Sequence, residues 1–218
     1  RIHISAVIIV KINLYSALGK LPYLYFTGCK NIANTLAHNL GDLLLKRKEK
    51  LFDKHNVPYI YAGSVNAPKI ISWIQRMEPD IMLNIRARCI YNDAVLKIPR
   101  LGCVNVHHGI LPQQRGLFCD LFALADNRET GFTIHAMTNQ VDQGKIFYQE
   151  KIKGDKDYVE YLTNVSSKEM AAIANFINQT AQNNFLPKGS LATCDKPMVT
   201  TTPNFKTIKQ LQHNGIIL

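Results

Sequence analysis

The segment Asn105-Val-His107-His108-Gly109-Ile-Leu-Pro-Gln-Gln-Arg115-Gly116 holds the residue types best suited to acid–base chemistry in this 218-residue chain. In a strand, Asn105 and His107 stand two residues apart and point to the same side. An amide donor and an imidazole facing one crevice can polarise a carbonyl and stabilise the oxyanion formed when a nucleophile adds. An isolated Asn-x-His does not establish this, because the amide can equally serve the backbone at a strand end. Downstream, Thr133 and His135 precede Val141-Asp142-Gln143-Gly144, where Gly144 supplies turn freedom. A carboxylate at Asp142 brought near His107 could hold it charged or relay a proton. Alone, Asp-x-Gly is only a turn signal.

Those residues need elements to position them. Short apolar runs alternate with helical periods, which predicts an α/β fold, doubly wound and Rossmann-like, with a mostly parallel sheet and helices on both faces. Ala6–Val10 is apolar throughout, like a strand covered on both faces. Ile32, Leu36, Leu40, Leu43, Leu44 and Leu51 recur at helical spacing. Val57–Tyr61 is the next strand. Pro68 suits the first turn of a helix with Ile70, Ile71, Ile74 and Met77 on one face. Ile81–Ile85 and Gly102–His107 are predicted strands. The second delivers Asn105 and His107 to its carboxyl end, where open α/β sheets place their ligand crevice.

Residues 108–116 are predicted to be a loop and Leu117–Ala125 a short helix. Gly131–Met137 and Lys145–Lys153 alternate at period two, as strands with distinguishable faces do. Asp155 or Asp157 can cap a long helix running to about Thr180. A catalytic domain is expected over 1–185, and 186–218, punctuated by Pro187, Gly189, Pro197 and Pro203, as a tail packing on it. No G-x-G-x-x-G follows the first apolar strand, so the opening departs from the usual doubly wound start.

In order and spacing, Asn-x-His, a loop ending Leu-Pro-x-x-Arg-Gly, Thr-Gly-Phe-Thr-Ile-His and Val-Asp-x-Gly-x-Ile resemble the catalytic half of the folate-dependent formyltransferase family, from about residue 80 to 152. The resemblance implies transfer of a formyl group from N10-formyltetrahydrofolate to an amine, or to water in the deformylase branch. It makes Asn105, His107 and Asp142 the catalytic trio. It places the folate beside the loop after Ile81–Ile85, with backbone groups at Arg86, Arg88 and Ile90 as candidates, together with Gln140 and Val141. His108, Gly109, Arg115 and Gly116 are the acceptor-side candidates. The family usually has His-Pro-Ser where this chain has His107-His108-Gly109, and the deformylase branch is closer at His108.

Within that resemblance the expected acceptor is a nucleotide-linked amino sugar. Glycinamide ribonucleotide, methionyl-tRNA and water are the alternatives, and a folate- or nucleotide-binding protein without turnover is a further one. The stretch after Lys153 is short for the extra β-barrel of the methionyl-tRNA enzyme.

Composition bounds these readings. With 46% hydrophobic and 19% charged residues the chain is globular rather than disordered. No apolar run approaches the ~20 residues that cross a bilayer, and no leader is evident, so a cytoplasmic protein without a membrane partner is expected. Five cysteines without a C-x-x-C pair read as reduced thiols, and no metal is expected. The net charge of +10 points to an anionic partner. Much of it, in Lys46, Arg47, Lys48 and Lys50, reads as a solvated helix face, which argues against nucleic acid; a homodimer is left open.

Overall fold

The computed structural model describes residues 2–87, 89–191 and 193–218. The chain opens with β1 (Val7–Val10), α1 (Leu14–Phe26), α2 (Lys30–Leu44) and α3 (Arg47–Lys54). Next come β2 (Tyr59–Ala62), α4 (Pro68–Met77), β3 (Ile81–Ile85), α5 (Asp93–Leu96) and β4 (Gly102–His107). β5 (Gln114–Gly116), α6 (Cys119–Ala125), β6 (Thr130–Ala136) and β7 (Ile146–Ile152) continue the chain. The 26-residue α7 (Tyr158–Asn183), β8 (Met198–Thr200) and α8 (Phe205–His213) complete it.

The central sheet has the order β3-β4-β6-β7. β3 and β4 are parallel, and β6 and β7 add antiparallel at one side. β1 pairs with β2, and β5 with β8, each in parallel. Among the described residues, three of the five strand pairings are therefore parallel, in an α/β fold whose strands fall into three sheets.

Alternation along the strands sorts the side chains to opposite faces of the central sheet. Val104 and Val106 of β4 join Phe132 and Ile134 of β6 in a core closed by α6, α7 and α8. Each such side chain contributes ~1.5–3 kcal/mol on burial. Cys103 faces the other way, into a second core with Ile70 and Ile74 of α4 and Val95 of α5. Asn105 and His107 share the Cys103 face. The trio's strand thus lies between two packed layers, which fixes its register.

Local signals explain most elements. Pro68 occupies the first turn of α4. Asp157 caps α7 by accepting from the Val159 and Glu160 amides. Three expectations need correction. The helical period from Ile32 to Leu51 is two helices, broken where Lys46 adopts φ +51°. The helix expected from Leu117 begins at Cys119, because Phe118 is left-handed. The loop 108–116 contains β5, whose partner β8 lies 84 positions away in sequence (Gln114↔Met198), a pairing with no local signal. Gly131–Met137 keeps its two distinguishable faces, with Phe132 and Ile134 in the core and Thr133 and His135 on the other side, and as an inner strand β6 is buried from Thr130 to His135. The Tyr- and Leu-rich stretch that gave no clear reading is α1, with Pro22 inside it.

Candidate active site

Asn105 and His107 lie on one side of β4 near its carboxyl end, and antiparallel pairing sets His135 directly opposite Asn105. His135 Nδ1 lies 2.9 Å from the Ala136 carbonyl, so that nitrogen carries the proton. Burial, with His107 nearby, pushes the His135 pKa down to about 4. The ring is therefore neutral near pH 7, and its Nε2 accepts from Asn105 Nδ2 at 3.1 Å. This assignment orients the Asn105 amide and leaves its second N–H and its oxygen for a ligand.

His107 is buried, with its ring edge-on to His135 at 6.2 Å between centroids. Its Nε2 lies 2.8 Å from the Gln114 carbonyl and so donates there. That bond fixes the ring with Nδ1 toward Asp142, whose Oδ1 is 3.7 Å away. The same oxygen is 3.7 Å from His135 Nε2. Asp142 Oδ2 accepts from the Gly116 amide at 3.0 Å. Asp142 itself sits in the left-handed region, φ +55°, which short polar side chains tolerate. One buried carboxylate thus faces two imidazoles, and one of those holds the amide. The arrangement can donate to an oxygen that gains charge and can shift a proton between His107 and Asp142.

Glycines let these groups approach. A Cβ on Gly109 would stand 2.6 Å from Cys119 Sγ and 2.8 Å from His107 Nε2. A Cβ on Gly116 would stand 2.2 Å from the Thr200 carbonyl, and φ is +92° there. Both residues, read from the sequence as acceptor-side candidates, lie beside His107 and Asp142, where their observed contacts are packing and the amide bond to Asp142. Cys119 donates to the His108 carbonyl at 2.9 Å, and burial pushes its thiol pKa up, so it stays S–H.

His108 leaves β4 on the opposite side from His107. Its Nε2 is 2.8 Å from Glu169 Oε2 and its Nδ1 is 3.6 Å from Asp120 Oδ2. Arg86, left-handed at the end of β3, places Nη2 2.8 Å from Ser166 Oγ and 3.3 Å from Glu169 Oε2. Arg86 and His108 are therefore joined around one carboxylate, a grouping that no local sequence pattern marks.

The remaining expected residues are more scattered. Ile90 is exposed, and its carbonyl accepts from Asn66 Nδ2 at 2.8 Å. Gln140 and Val141 are exposed in the turn before Asp142, where the Gln140 carbonyl accepts from Thr138. Arg115 is half-buried, with its Nε lacking a hydrogen bond. Arg88 lies outside the described residues. A groove of about 1380 Å³ runs along β7 and the segment 188–198, with Leu111 and Gln114 in its wall. The trio does not line it, but Gln114 belongs to both: its carbonyl holds His107.

The sequence matches the formyl transferase family over residues 37–177, more than half of the chain. The chain belongs to the formyl transferase family. Among its relatives, the bifunctional polymyxin resistance protein ArnA of Wigglesworthia glossinidia brevipalpis is 37% identical over 140 residues, 64% of this chain and 21% of that protein. A methionyl-tRNA formyltransferase of Thermotoga maritima is 34% identical over 123 residues, 54% of this chain and 39% of that enzyme. The chain thus spans well under half the length of these curated relatives. A sugar N-formyltransferase from Shewanella sp. FDAARGOS_354 shares the fold, with TM-score 0.57 at 18% identity over 92% of this chain and 78% of that one. So does the formyltransferase PseJ from Anoxybacillus kamchatkensis, solved with UDP-4,6-dideoxy-4-formamido-L-AltNAc and tetrahydrofolate. Its TM-score is 0.53 at 13% identity, over 76% of this chain and 92% of that one.

In this member of the family, sequence reasoning left out three residues that shape the site. His135 was legible: it shares the period-two face of Thr133 in a strand that had to pair near Asn105. Glu169 carried a signal too. It follows Tyr158, Tyr161 and Val165 at helical spacing, a carboxylate on the stripe that α7 buries. Gln114 acts through its backbone carbonyl, which no side-chain pattern marks.

Proposed function

We propose that the protein transfers a formyl group from N10-formyltetrahydrofolate to a primary amine, with Asn105, His107 and Asp142 at the reacting centre. The observation that carries this reading is the convergence of a fixed amide, a fixed imidazole and a buried carboxylate at the carboxyl end of β4. These residues fit a formyl donor. Asn105 has one N–H unspent after His135, and the ring of His107 is held with Nδ1 toward Asp142.

The donor supplies the formyl carbon. Asn105 and His107 Nδ1 offer hydrogen bonds to the formyl oxygen as it gains charge, and a preorganised donor of this kind is worth ~3–4 kcal/mol of barrier. Asp142 accepts the proton that the attacking amine must lose, or holds the charge on His107 while that proton moves to N10 of the folate, whose bond to the formyl carbon breaks to release tetrahydrofolate. Backbone groups at Arg86 and Ile90, with Gln140 and Val141, are the proposed folate contacts. Because His108 faces Glu169 and Asp120 instead of the trio, we read transfer to an amine over hydrolysis.

For the acceptor we propose a nucleotide-linked amino sugar. The groove beside Gln114 supports an anionic acceptor, since Arg128, Lys151, Lys188 and Lys196 line it against the single carboxylate of Glu129. The nucleotide sugar held by PseJ is the precedent for this class. We propose residues 1–185 as the catalytic domain, 186–218 as its tail and the cytoplasm as its location. The five cysteines are free, and among the described residues no helix is long and apolar enough to cross a membrane. The test is competition among UDP- and dTDP-amino sugars, glycinamide ribonucleotide and methionyl-tRNA as acceptors. A kcat/KM at least ~10-fold higher for a sugar nucleotide supports the assignment, and preference for methionyl-tRNA overturns it.

A further inference from the structure

His107 and His108 are adjacent, but the pleat sends them to opposite faces of β4. His108 meets charged groups from three other elements. α7 contributes Glu169, 2% exposed, and α6 contributes Asp120, 1% exposed. The turn after β3 contributes Arg86. Tyr158 donates to Asp120 Oδ1 at 3.1 Å, and the Leu121 amide donates to the same oxygen at 2.8 Å. Asp120 Oδ2 has no hydrogen bond, and it faces His108 Nδ1 at 3.6 Å. On the other side of the ring, Nε2 and Arg86 Nη2 both converge on Glu169 Oε2, at 2.8 and 3.3 Å, and lie 3.0 Å from each other. A neutral ring would turn a lone pair either toward Glu169, where only Arg86 could donate to it, or toward the unbonded Asp120 Oδ2. Only the doubly protonated ring turns an N–H toward both carboxylates, hydrogen-bonded to Glu169 and in charge contact with Asp120.

We propose that His108 is a positioning residue. As an imidazolium clamped between Glu169 and Asp120, it latches the loop that carries His107 to α6 and α7. The cluster then balances two buried carboxylates against two cations, Arg86 and His108, as buried charges require. Burial, and repulsion from Arg86, oppose the charge on His108. The facing Asp120 carboxylate and the hydrogen bond to Glu169 outweigh both, so its pKa lies above that of an ordinary histidine. His107 is held at Nε2 by Gln114, three residues past Leu111 on the same loop. A loop released at His108 therefore loosens the nitrogen aimed at Asp142. The proposal rests on the reading of His107 as catalytic.

Two measurements test it. The first needs no activity: ¹⁵N imidazole spectra of the wild-type protein, with His108 assigned by comparison with His108→Gln. Both ring nitrogens should be protonated at pH 7, with titration above the ~6.5 of a free histidine. A neutral His108 ring at pH 7 overturns the proposal. The second compares kcat of wild type and His108→Gln across pH 6.5 to 9.5. Gln can donate to Glu169 but carries no charge. The variant should lose about 5-fold in kcat at pH 7 with the donor KM little changed. The wild-type advantage should shrink toward one as pH rises through the His108 titration. A ratio that stays constant with pH means a merely structural contact and refutes the latch. If His107→Ala remains active, it is the catalytic reading that fails, and the spectra still decide the clamp.

Discussion

Asp142→Asn is the sharpest perturbation the geometry offers, because it removes a charge and almost nothing else. Asn tolerates the left-handed backbone at this position, φ +55°. Its amide oxygen can still accept from the Gly116 amide, which lies 3.0 Å from Asp142 Oδ2. Folding should therefore be weakened by only ~1 kcal/mol, the difference between a charged and a neutral acceptor. The chemistry should suffer far more. At 3.7 Å from His107 Nδ1, a carboxylate stabilises an imidazolium by about 4 kcal/mol at an effective dielectric of about 20. Asn cannot take a proton from the amine either. We expect kcat to fall ~10²–10³-fold while the donor KM stays within ~3-fold. Stopped-flow measurement of tetrahydrofolate formation, beside circular dichroism melts, checks both halves. Turnover within ~3-fold of wild type across about pH 6 to 9 would mean that Asp142 is only a turn residue, and would refute the argument.

Asn105→Ala and His107→Ala should each lower kcat by ~10²-fold or more with the fold retained, and near-normal kcat in both removes the assignment of β4 as the reacting strand. Acid should destabilise the protein through His135. Its folded pKa, about 4, lies below the unfolded value, so the unfolded chain binds the extra proton and stability is lost as pH falls from about 6.5 toward 4. The loss is on the order of 3 kcal/mol, and urea unfolding at pH 7 and 4.5 should show a larger drop for wild type than for His135→Gln; equal drops contradict it. Gly116→Ala should cost ~2–4 kcal/mol, since its Cβ would meet the Thr200 carbonyl at a left-handed position, and an unchanged melting temperature would show that β5 and β8 do not pack this way.

Much of this site is legible in the sequence, and the reason is periodicity. Strand alternation alone puts Asn105 and His107 on one face and turns His108 away, which the structure shows with His107 toward Asp142 and His108 toward Glu169. Pro68 and Asp157 mark helix starts because capping and the fixed proline φ are local. What escapes a sequence reading depends on distant chain. The β5–β8 pairing joins Gln114 to Met198, and nothing in either segment announces the other. Breaks at Lys46 and Phe118 need positive φ from residues that seldom adopt it, so the helical pattern runs through them. The charge cluster around His108 draws Arg86, Asp120 and Glu169 from three parts of the chain, and no one segment shows that they meet.

The central claim is that His107, Asn105 and Asp142 move a formyl group from a folate to an amine. A single-turnover, rapid-quench experiment with radiolabelled N10-formyltetrahydrofolate and an amino-sugar nucleotide tests it most directly. The account predicts labelled formamide that depends on the amine, no comparable formate release without it, and loss of the transfer by ~10²-fold in His107→Ala. Formate released equally fast without any amine, or label transferred undiminished by the His107→Ala protein, would contradict it.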